Sequence, residues 1–322
     1  MRRRNFSVAM PLAVTLAMFA GQAVASEPLT IVVPFAPGSS ADATTRLIAR
    51  QVTKDTGQTV VVDNRAGANG ITAASQARRA SADGRTVILS NVGTDALNAS
   101  LYEKLPYDSL KDFAPVSLLW RFPSVLAVPS VSKARNVKDL VKLARETDGG
   151  LTYGSAGAGS GGHLLGEMLR IDSKAPMTHV PYRGMSPALT DLMGGRLDFT
   201  FASYAAVAKQ VESGHLRVLA VAADSRLKAL PDVPTLAQEG MAASIVLDNW
   251  FGISAPMGTP AAEVERLQKA FAAAAKDPAV VAQLAEQGVE AVGSTSAEYD
   301  ALIRRDSQRL ATLVKKLGVK AQ

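Results

Sequence analysis

LTIVVPFAPGSSADATTRLIAR, residues 29–50, is the stretch around which the rest of the chain is organised. Four branched apolar residues, with Thr30 among them, occupy positions 29–33 and predict a buried strand, and a loop of proline, glycine and serine follows directly. Ser39, with Asp42 three residues later, is typical of a capping box and predicts that a helix begins here. The apolar face of this helix is supplied by Leu47, Ile48 and Val52.

A glycine-bearing turn at the start of a helix directs unpaired N–H groups and the positive end of the helix dipole at one point. Such a turn can bind a carboxylate or a phosphate without a charged side chain. The same order of strand, glycine/serine loop and helix returns in residues 151–171, where AGAGSGG occupies positions 156–162. We therefore expect two anion-binding turns that face each other.

Strands and helices alternate along the chain, which predicts two α/β lobes with largely parallel sheets covered on both faces. Strands are predicted at 29–33, 58–62, 86–90, 125–128, 151–155, 177–180, 199–202 and 216–222. Helices are predicted at 71–80, 137–145, 163–171, 187–193 and 231–240, and residues 101–120 are irregular. The chain crosses between lobes near 101–128 and returns near 249–256; helices at 261–275, 279–287 and 296–317 are expected to cover the first lobe.

Residues 1–25 have the pattern of a secretory signal peptide. Three arginines at 2–4 precede an apolar run at 8–19, and Ala23-Val24-Ala25 is a small-residue cleavage site. The apolar run is shorter than the roughly 20 residues of a membrane-spanning helix. We expect this segment to be removed and the protein to be exported to a bacterial periplasm.

The whole-chain composition narrows the function further. The 322 residues are 47% hydrophobic and 20% charged, which is ordinary for a globular protein of two domains. The absence of cysteine excludes a lipoprotein anchor, disulfides, thiolate metal sites and cysteine nucleophiles. Three of the 35 basic residues and none of the 29 acidic ones lie in 1–25, so the formal charge of +6 falls to +3 after cleavage. No basic cluster interleaved with aromatic residues is present, and we expect no nucleic-acid partner.

Two motifs resemble a cofactor or metal site, but both have simpler explanations. Gly157, Gly159 and Gly162 match the dinucleotide fingerprint, but the local candidate for the ribose-binding acid, Asp172, lies at the end of a predicted helix and not after the next strand. His163 and Glu167 could share a helix face as metal ligands, although a third ligand has no obvious source, and a polar contact is the simpler explanation. We expect no metal and no other cofactor.

A serine hydrolase is the alternative that the sequence leaves open. Residues 158–162, AGSGG, approximate the nucleophile elbow with Ser160 as nucleophile, and Asp191 or Asp198 and then His215 follow in the required order. The elbow lacks its first glycine, however, and a serine at a helix start is more often a cap.

Several polar residues stand where the ligand side of a parallel sheet is expected, beyond the carboxyl ends of its strands. Ser90 ends the third strand, Tyr182 follows the strand at 177–180, and Ser203 follows the strand at 199–202, where it could instead cap a helix. Arg183 could pair with a ligand carboxylate or be solvated, and Trp250 could line the cleft or pack between the lobes.

A series of short motifs resembles the Bug proteins, the extracytoplasmic solute receptors of tripartite tricarboxylate transporters. The motifs are PFAPG at 34–38 with Asp42, VDNRAGA at 62–68, DG at 83–84, LPYD at 105–108, KDF at 111–113, HVPYRG at 179–184, LPDVPT at 230–235 and APMGTP at 255–260. The resemblance implies an α/β type II periplasmic binding protein, with two lobes joined by two crossing strands in a Venus-flytrap arrangement. The bounds are expected at 26–124 with 250–322 for the first lobe and 125–249 for the second.

The resemblance also implies a ligand and its site. The ligand would be a small carboxylate, namely a di- or tricarboxylate, an acidic amino acid or an aromatic acid, and membrane permease subunits would be the partners of a monomeric receptor. The first-lobe turn falls on Phe35, Ala36, Gly38, Ser39, Ser40 and Asp42, and the second-lobe turn on Ser155, Ala156, Gly157, Gly159, Ser160 and His163. Asp42 is expected to cap its helix or to accept from a ligand ammonium or water.

Two positions depart from the Bug pattern. Ser39 stands where members usually have a second glycine. A side chain therefore enters the first-lobe turn, and this change can alter which carboxylate the turn accepts. Arg85 stands where an aromatic residue is usual, in a turn that is expected to lie far from the cleft.

Overall fold

A computed structural model describes residues 27–320, and its ten strands form one connected sheet in the order β2-β1-β3-β9-β4-β7-β5-β6, with β8 and β10 paired to β4. The strands are β1 (Leu29–Val33), β2 (Val60–Asn64), β3 (Thr86–Asn91), β4 (Phe113–Pro129), β5 (Leu151–Ser155), β6 (Met177–Pro181), β7 (Phe199–Ser203), β8 (Leu216–Ala222), β9 (Asp248–Pro256) and β10 (Glu290–Ala291). The predicted signal peptide, residues 1–25, lies outside the described residues.

The helices follow the predicted alternation closely. They are α1 (Ser40–Thr56), α2 (Ile71–Ala77), α3 (Asn98–Leu101), α4 (Val137–Glu146), α5 (Gly161–Ser173), α6 (Met185–Met193), α7 (Tyr204–Glu212), α8 (Ala261–Lys276), α9 (Pro278–Glu286) and α10 (Ser296–Leu317). Short helical turns at Ala68–Gly70 and Gly93–Leu97 precede α2 and α3. In the range 27–320, none of the helices combines the length and hydropathy that a membrane span requires.

The first lobe is built on the parallel core that the opening stretch predicts. β1 lies between β2 and β3 and is parallel to both, and Ile31 is paired with Val62 on one side and Val87 on the other. Ile31 packs into a core shared with α1, α8 and α9, whereas Val32 packs with α2 on the opposite face. Because successive residues of a strand point to opposite faces, the continuous apolar run of β1 is buried on both sides.

The second lobe repeats this arrangement with β5 between β6 and β7, parallel to both. Tyr153 of β5 is paired with His179 of β6 and Phe199 of β7. The loop that follows β5 leads into α5, as the loop after β1 leads into α1. Both glycine/serine loops therefore lie at the carboxyl ends of parallel strands, where ligands of such sheets bind.

The strand β4 joins the two lobes and corrects one prediction. Its 17 residues include 113–120, which belong to the stretch 101–120 that was expected to be irregular because of its prolines and aspartates. Residues 113–123 pair antiparallel with β9, and residues 124–129 pair with β7 and β8. The partners of β4 thus change between 123 and 124, and its register with β9 is irregular near Pro115. The exact bounds of the two lobes stay a prediction.

Three other predictions differ from the structure. The helix expected at 231–240 is a series of turns, since Pro231, Pro234 and Gly240 interrupt the backbone pattern of a helix. Helix α7 was not predicted. Helix α10 does more than cover the first lobe, because Leu310 belongs to a hydrophobic core that also contains Leu165 of α5 in the second lobe.

Candidate functional site

The first-lobe turn, residues 35–42, is held by hydrogen bonds between its own groups. Ser39 is the N-cap of α1, and its Oγ accepts from the Asp42 N–H at 3.2 Å. The Ser39 N–H donates to Ala36 O. Gly38 has φ +78°, a left-handed conformation that glycine adopts without strain. The turn is thus fixed in shape while Ala36 and Gly38 remain exposed to solvent.

Asp42 is buried and stabilises this turn through hydrogen bonds to its carboxylate. Its Oδ2 accepts from the Gly38 N–H at 2.9 Å and its Oδ1 from Asn64 Nδ2 at 2.9 Å, and Arg46 Nε donates to both oxygens. The capping box predicted for Ser39 and Asp42 therefore forms in one direction only. Burial raises the pKa of Asp42, but the hydrogen bonds from Arg46, Gly38 and Asn64 outweigh it and the pKa lies below its usual value.

Replacing Asp42 with alanine is expected to lower the free energy of unfolding by about 1–3 kcal/mol, because the Gly38 N–H and the Asn64 amide lose a charged acceptor. The contribution of Asp42 is present above the ordinary carboxyl pKa and is lost as the pH falls through its lowered pKa. Urea unfolding at pH 7 measures it. Asp300→Ala is the matched control, since Asp300 pairs with Arg304 four residues later on an exposed helix face and should cost less than about 0.5 kcal/mol. Equal losses for the two variants would contradict the assigned role.

The second-lobe turn, residues 155–163, repeats the design of the first. Ser160 is the N-cap of α5, its Oγ accepts from the His163 N–H at 3.5 Å, and its N–H donates to Gly157 O. The Gly159 N–H donates to His163 Nδ1 at 2.9 Å. His163 thus takes the position that Asp42 has in the first-lobe turn. Even the cap conformations agree, with φ −68° and ψ 160° in the first-lobe turn and φ −67° and ψ 161° in the second.

A stacked pair of histidines supports the second-lobe turn. The rings of His163 and His179 are 3.7 Å apart and nearly parallel, and His179 Nε2 lies 2.7 Å from Ser155 Oγ. Ser155 is fully buried and its Oγ donates to Gly157 O at 2.9 Å. Burial lowers the pKa of both imidazoles, and the neighbouring His163 further lowers that of His179, to about 4. Both rings are therefore neutral at pH 7, and His163 Nδ1 is free to accept from the backbone.

Each turn leaves two helix N–H groups without a partner. Between residues 27 and 320, the N–H groups of Ser40 and Ala41 in α1 and of Gly161 and Gly162 in α5 donate no hydrogen bond. Each cap serine uses its oxygen as an acceptor, so the hydroxyl proton can still be donated. Two N–H groups, one hydroxyl and a positive helix end are the donor set that binds a carboxylate.

The loop at residues 67–70 lies against both turns. On one side, Asn69 Nδ2 donates to Ala158 O of the second-lobe turn at 2.7 Å. On the other side, a Cβ added to Gly70 would lie 3.1 Å from Cβ of Pro34, which precedes the first-lobe turn. The two turns are therefore neighbours of one loop rather than features of remote surfaces.

The remaining predicted site residues have different surroundings. Phe35 O accepts from Asn64 Nδ2, and the Phe35 ring packs 5.5 Å from that of Phe251. Tyr182 borders the second-lobe turn, since its N–H donates to Ser155 O, and its hydroxyl donates to Asp191. Ser203 is the N-cap of α7, the simpler of its two predicted roles.

Ser90 is not brought together with the two turns. Its side chain is fully buried and lies with Asp95 and Tyr299 in the interior of the first lobe. Trp250 is likewise buried, and its Nε1 donates to Asp306 Oδ2 at 2.8 Å, so it packs against α10 instead of lining a cleft. Arg183 is exposed.

Two asparagines near the second-lobe turn were not selected from the sequence. Asn69 precedes Gly70, and an Asn-Gly pair in a long loop is a signal for a left-handed backbone. Asn249 donates to Ser124 Oγ at 3.0 Å, and its Oδ1 would lie 2.9 Å from a Cβ added to Gly161. Its position at the start of a crossing strand was the only sequence signal.

The hydrolase and metal alternatives find no assembled site in the described residues. Ser160 Oγ serves as a cap, and His215, the proposed base, instead lies 2.9 Å from Ser213 Oγ in an exposed turn. Glu167, proposed as a metal ligand with His163, is held by Arg170 at 2.7 Å and accepts from the Tyr153 hydroxyl. These groups are engaged in structural hydrogen bonds.

Comparison with known proteins gives a consistent result. The model of the tripartite tricarboxylate transporter family receptor, TctC, matches residues 44–319. Protein BugT of Bordetella pertussis is 33% identical over 296 residues, which cover 92% of this chain and 90% of BugT.

Two solved structures are similar over about nine-tenths of the chain. Rpa4515 of R. palustris, solved with adipate, has a TM-score of 0.88 at 33% identity and covers 92% of this chain and 99% of its own. MatC (Rpa3494) from Rhodopseudomonas palustris, solved with bound malate, has a TM-score of 0.83 at 29% identity and covers 90% of this chain and 99% of its own.

Proposed function

The chain belongs to the TctC family of tripartite tricarboxylate transporter receptors, the Bug family, and on this premise we propose that it captures a small carboxylate between its two lobes for uptake. Receptors of this family are periplasmic, and their fold is the two-lobed periplasmic binding protein. We further propose that residues 1–25 are the cleaved export signal, that the chain is not an enzyme, and that membrane permease subunits receive the ligand from a monomeric receptor.

One observation carries the proposal: the two turns share a design that leaves two N–H groups free in each. Ser40 and Ala41 supply them in the first lobe, and Gly161 and Gly162 in the second. Each helix start offers an anion about 0.3–1 kcal/mol, and up to about 2 kcal/mol where it is partly buried. With several charge-assisted hydrogen bonds added, two such turns are sufficient for micromolar affinity.

The chemistry of the turns favours a ligand with a carboxylate at each end. The turn at Ser39 and the turn at Ser160 are near copies, so each is suited to the same anionic group. Relatives solved with adipate and with malate hold ligands of this kind. We therefore place dicarboxylates first, ahead of tricarboxylates, acidic amino acids and aromatic acids.

A saturating carboxylate is expected to raise the free energy of unfolding by about 2.7 kcal/mol when its concentration is about 100 times the dissociation constant. Thermal unfolding with a panel of di- and tricarboxylates, acidic amino acids and aromatic acids measures the effect. Mass spectrometry of small molecules released from the denatured protein tests it independently. If no acid shifts the transition and a serine-directed fluorophosphonate labels Ser160, the receptor function is wrong and the hydrolase is favoured.

A further inference from the structure

The loop that borders both turns has an unusual backbone. Ala68 and Asn69 have φ of 45° and 50°, between Gly67 at 140° and Gly70 at 84°. Non-glycine residues seldom adopt positive φ, and two in succession cost free energy that other contacts must offset. Asparagine tolerates this conformation better than most side chains. The contacts that hold Asn69 in place are therefore informative.

Asn69 makes three hydrogen bonds that link elements distant in sequence. Its Nδ2 donates to Ala158 O at 2.7 Å and to the Tyr102 hydroxyl at 3.1 Å, and its own carbonyl accepts from Asn98 Nδ2 at 3.1 Å. Asn98 in turn donates to the Tyr107 hydroxyl, so the first-lobe side of this network is fixed. Asn69 is thus rigidly mounted on the first lobe and bonded to the second.

The second-lobe turn also fits against an apolar side chain of the first lobe. A Cβ added to Gly159 would overlap Leu101, and Gly159 has φ +76°, so this position requires glycine on both grounds. Residues 157–159 of the second-lobe turn therefore pack against a surface formed by Asn69 and Leu101. The free N–H groups of Gly161 and Gly162 lie two and three residues after this packed segment, residues 157–159.

We propose that Asn69 is a positioning residue that fastens the second-lobe turn to the first lobe when the receptor is closed, an inference that rests on the proposed function. Opening the lobes must break the bond from Asn69 Nδ2 to Ala158 O, because the two groups belong to different lobes. The bond therefore stabilises the closed, ligand-holding form without touching the carboxylate. Its loss accelerates ligand release and leaves the encounter rate unchanged.

Two substitutions at one position test this role. Asn69→Gly keeps the left-handed backbone and removes the amide, and Asn69→Asp keeps the size but sets a carboxylate opposite the Ala158 carbonyl. We expect Asn69→Gly to weaken carboxylate binding about 3- to 10-fold, through the dissociation rate, and Asn69→Asp to weaken it further. Surface plasmon resonance with the acid that binds most tightly separates the two rates. Asn136→Gly, at the N-cap of α4, is the matched control and should leave both rates unchanged.

A second readout needs no ligand. The chain has no cysteine, so Lys54→Cys on α1 and Lys209→Cys on α7, both exposed, can be spin-labelled without background. Electron–electron double resonance should show a closed-distance population that falls when Asn69→Gly is added. If the distance distribution and the dissociation rate are both unchanged, Asn69 does not fasten the second-lobe turn to the first lobe. If the wild type binds no acid yet its closed population depends on Asn69, the proposed function is wrong, but the role of Asn69 in stabilising the closed form is supported.

Discussion

Replacing Asp95 with asparagine is expected to stabilise the protein most above pH 7 and to flatten the dependence of its stability on pH. Asp95 is 5% exposed, and its Oδ1 accepts from Thr94 Oγ1 at 2.8 Å. The pKa of Asp95 rises from 3.8 to about 7 because burial disfavours the charged carboxylate, and the hydrogen bond from the Thr94 hydroxyl only partly opposes this.

The sign follows from proton binding. Between about pH 4 and pH 7 the folded protein keeps a proton on Asp95 that the unfolded chain releases, so stability falls as the pH rises through this window. Above it, the folded protein carries a buried charge at a cost of roughly 2–4 kcal/mol. Asparagine removes this cost. Its amide also offers a donor to a cluster in which the Ser90, Ser254 and Tyr299 hydroxyls have no partner among residues 27–320.

Chemical denaturation between pH 5 and pH 9 measures this effect. The difference between Asp95→Asn and the wild type should increase steadily from pH 5 to pH 7 and level off at several kcal/mol at pH 8 and above. Asp232→Asn, in an exposed turn, is the control and should change stability by less than about 0.5 kcal/mol at every pH. Parallel curves for Asp95→Asn and the wild type would show that Asp95 does not titrate in this range.

Local signals predicted the elements that carry the site. The apolar strand, the cap at Ser39 and the apolar face of α1 each depend on residues that are close in sequence, so the sequence pattern was sufficient to predict them. The same holds for Ser160 and α5. Only the end of β4, residues 125–128, was predicted as a strand, because its full length depends on partners on both sides, β9 and then β7 and β8, which compensate for its prolines. Local propensity does not contain that information.

The same distinction explains which site residues were found. Asp42 and His163 were expected to cap or to face the ligand, but each accepts from the glycine N–H four residues earlier, a bond that depends on the left-handed conformation of that glycine. Asn69 acts on Ala158, 89 residues away, and no pattern within the loop reveals that contact. Ser90 stands at the correct end of β3, yet its side chain lies in the interior of the lobe.

Replacing Ser40 with proline is expected to weaken carboxylate binding about 10- to 100-fold while leaving the fold intact. Ser40 is the first residue of α1, and its N–H has no acceptor between residues 27 and 320, so proline removes a ligand donor and breaks no hydrogen bond of the helix. The loss corresponds to one hydrogen bond to a charged group.

The backbone around Ser40 is suited to this substitution. Ser39 has φ −68° and ψ 160°, the extended conformation that a residue before proline prefers. The chain already starts another helix in this way, since Pro278 is the first residue of α9 after the cap Asp277. The thermal midpoint of Ser40→Pro should therefore equal or slightly exceed that of the wild type.

Ser40→Ala distinguishes the contribution of the N–H to binding from that of the hydroxyl, because it keeps the backbone donor and removes only the hydroxyl. Isothermal titration with the acid that binds most tightly should give near wild-type affinity for Ser40→Ala and the large loss for Ser40→Pro. Wild-type affinity in both variants, with both proteins folded, would mean that the start of α1 does not hold the ligand. An equal loss in both would assign the contact to the hydroxyl. The predicted split between them distinguishes an anion site made of backbone amides from one made of side chains, because only the former survives the removal of every side-chain atom beyond Cβ.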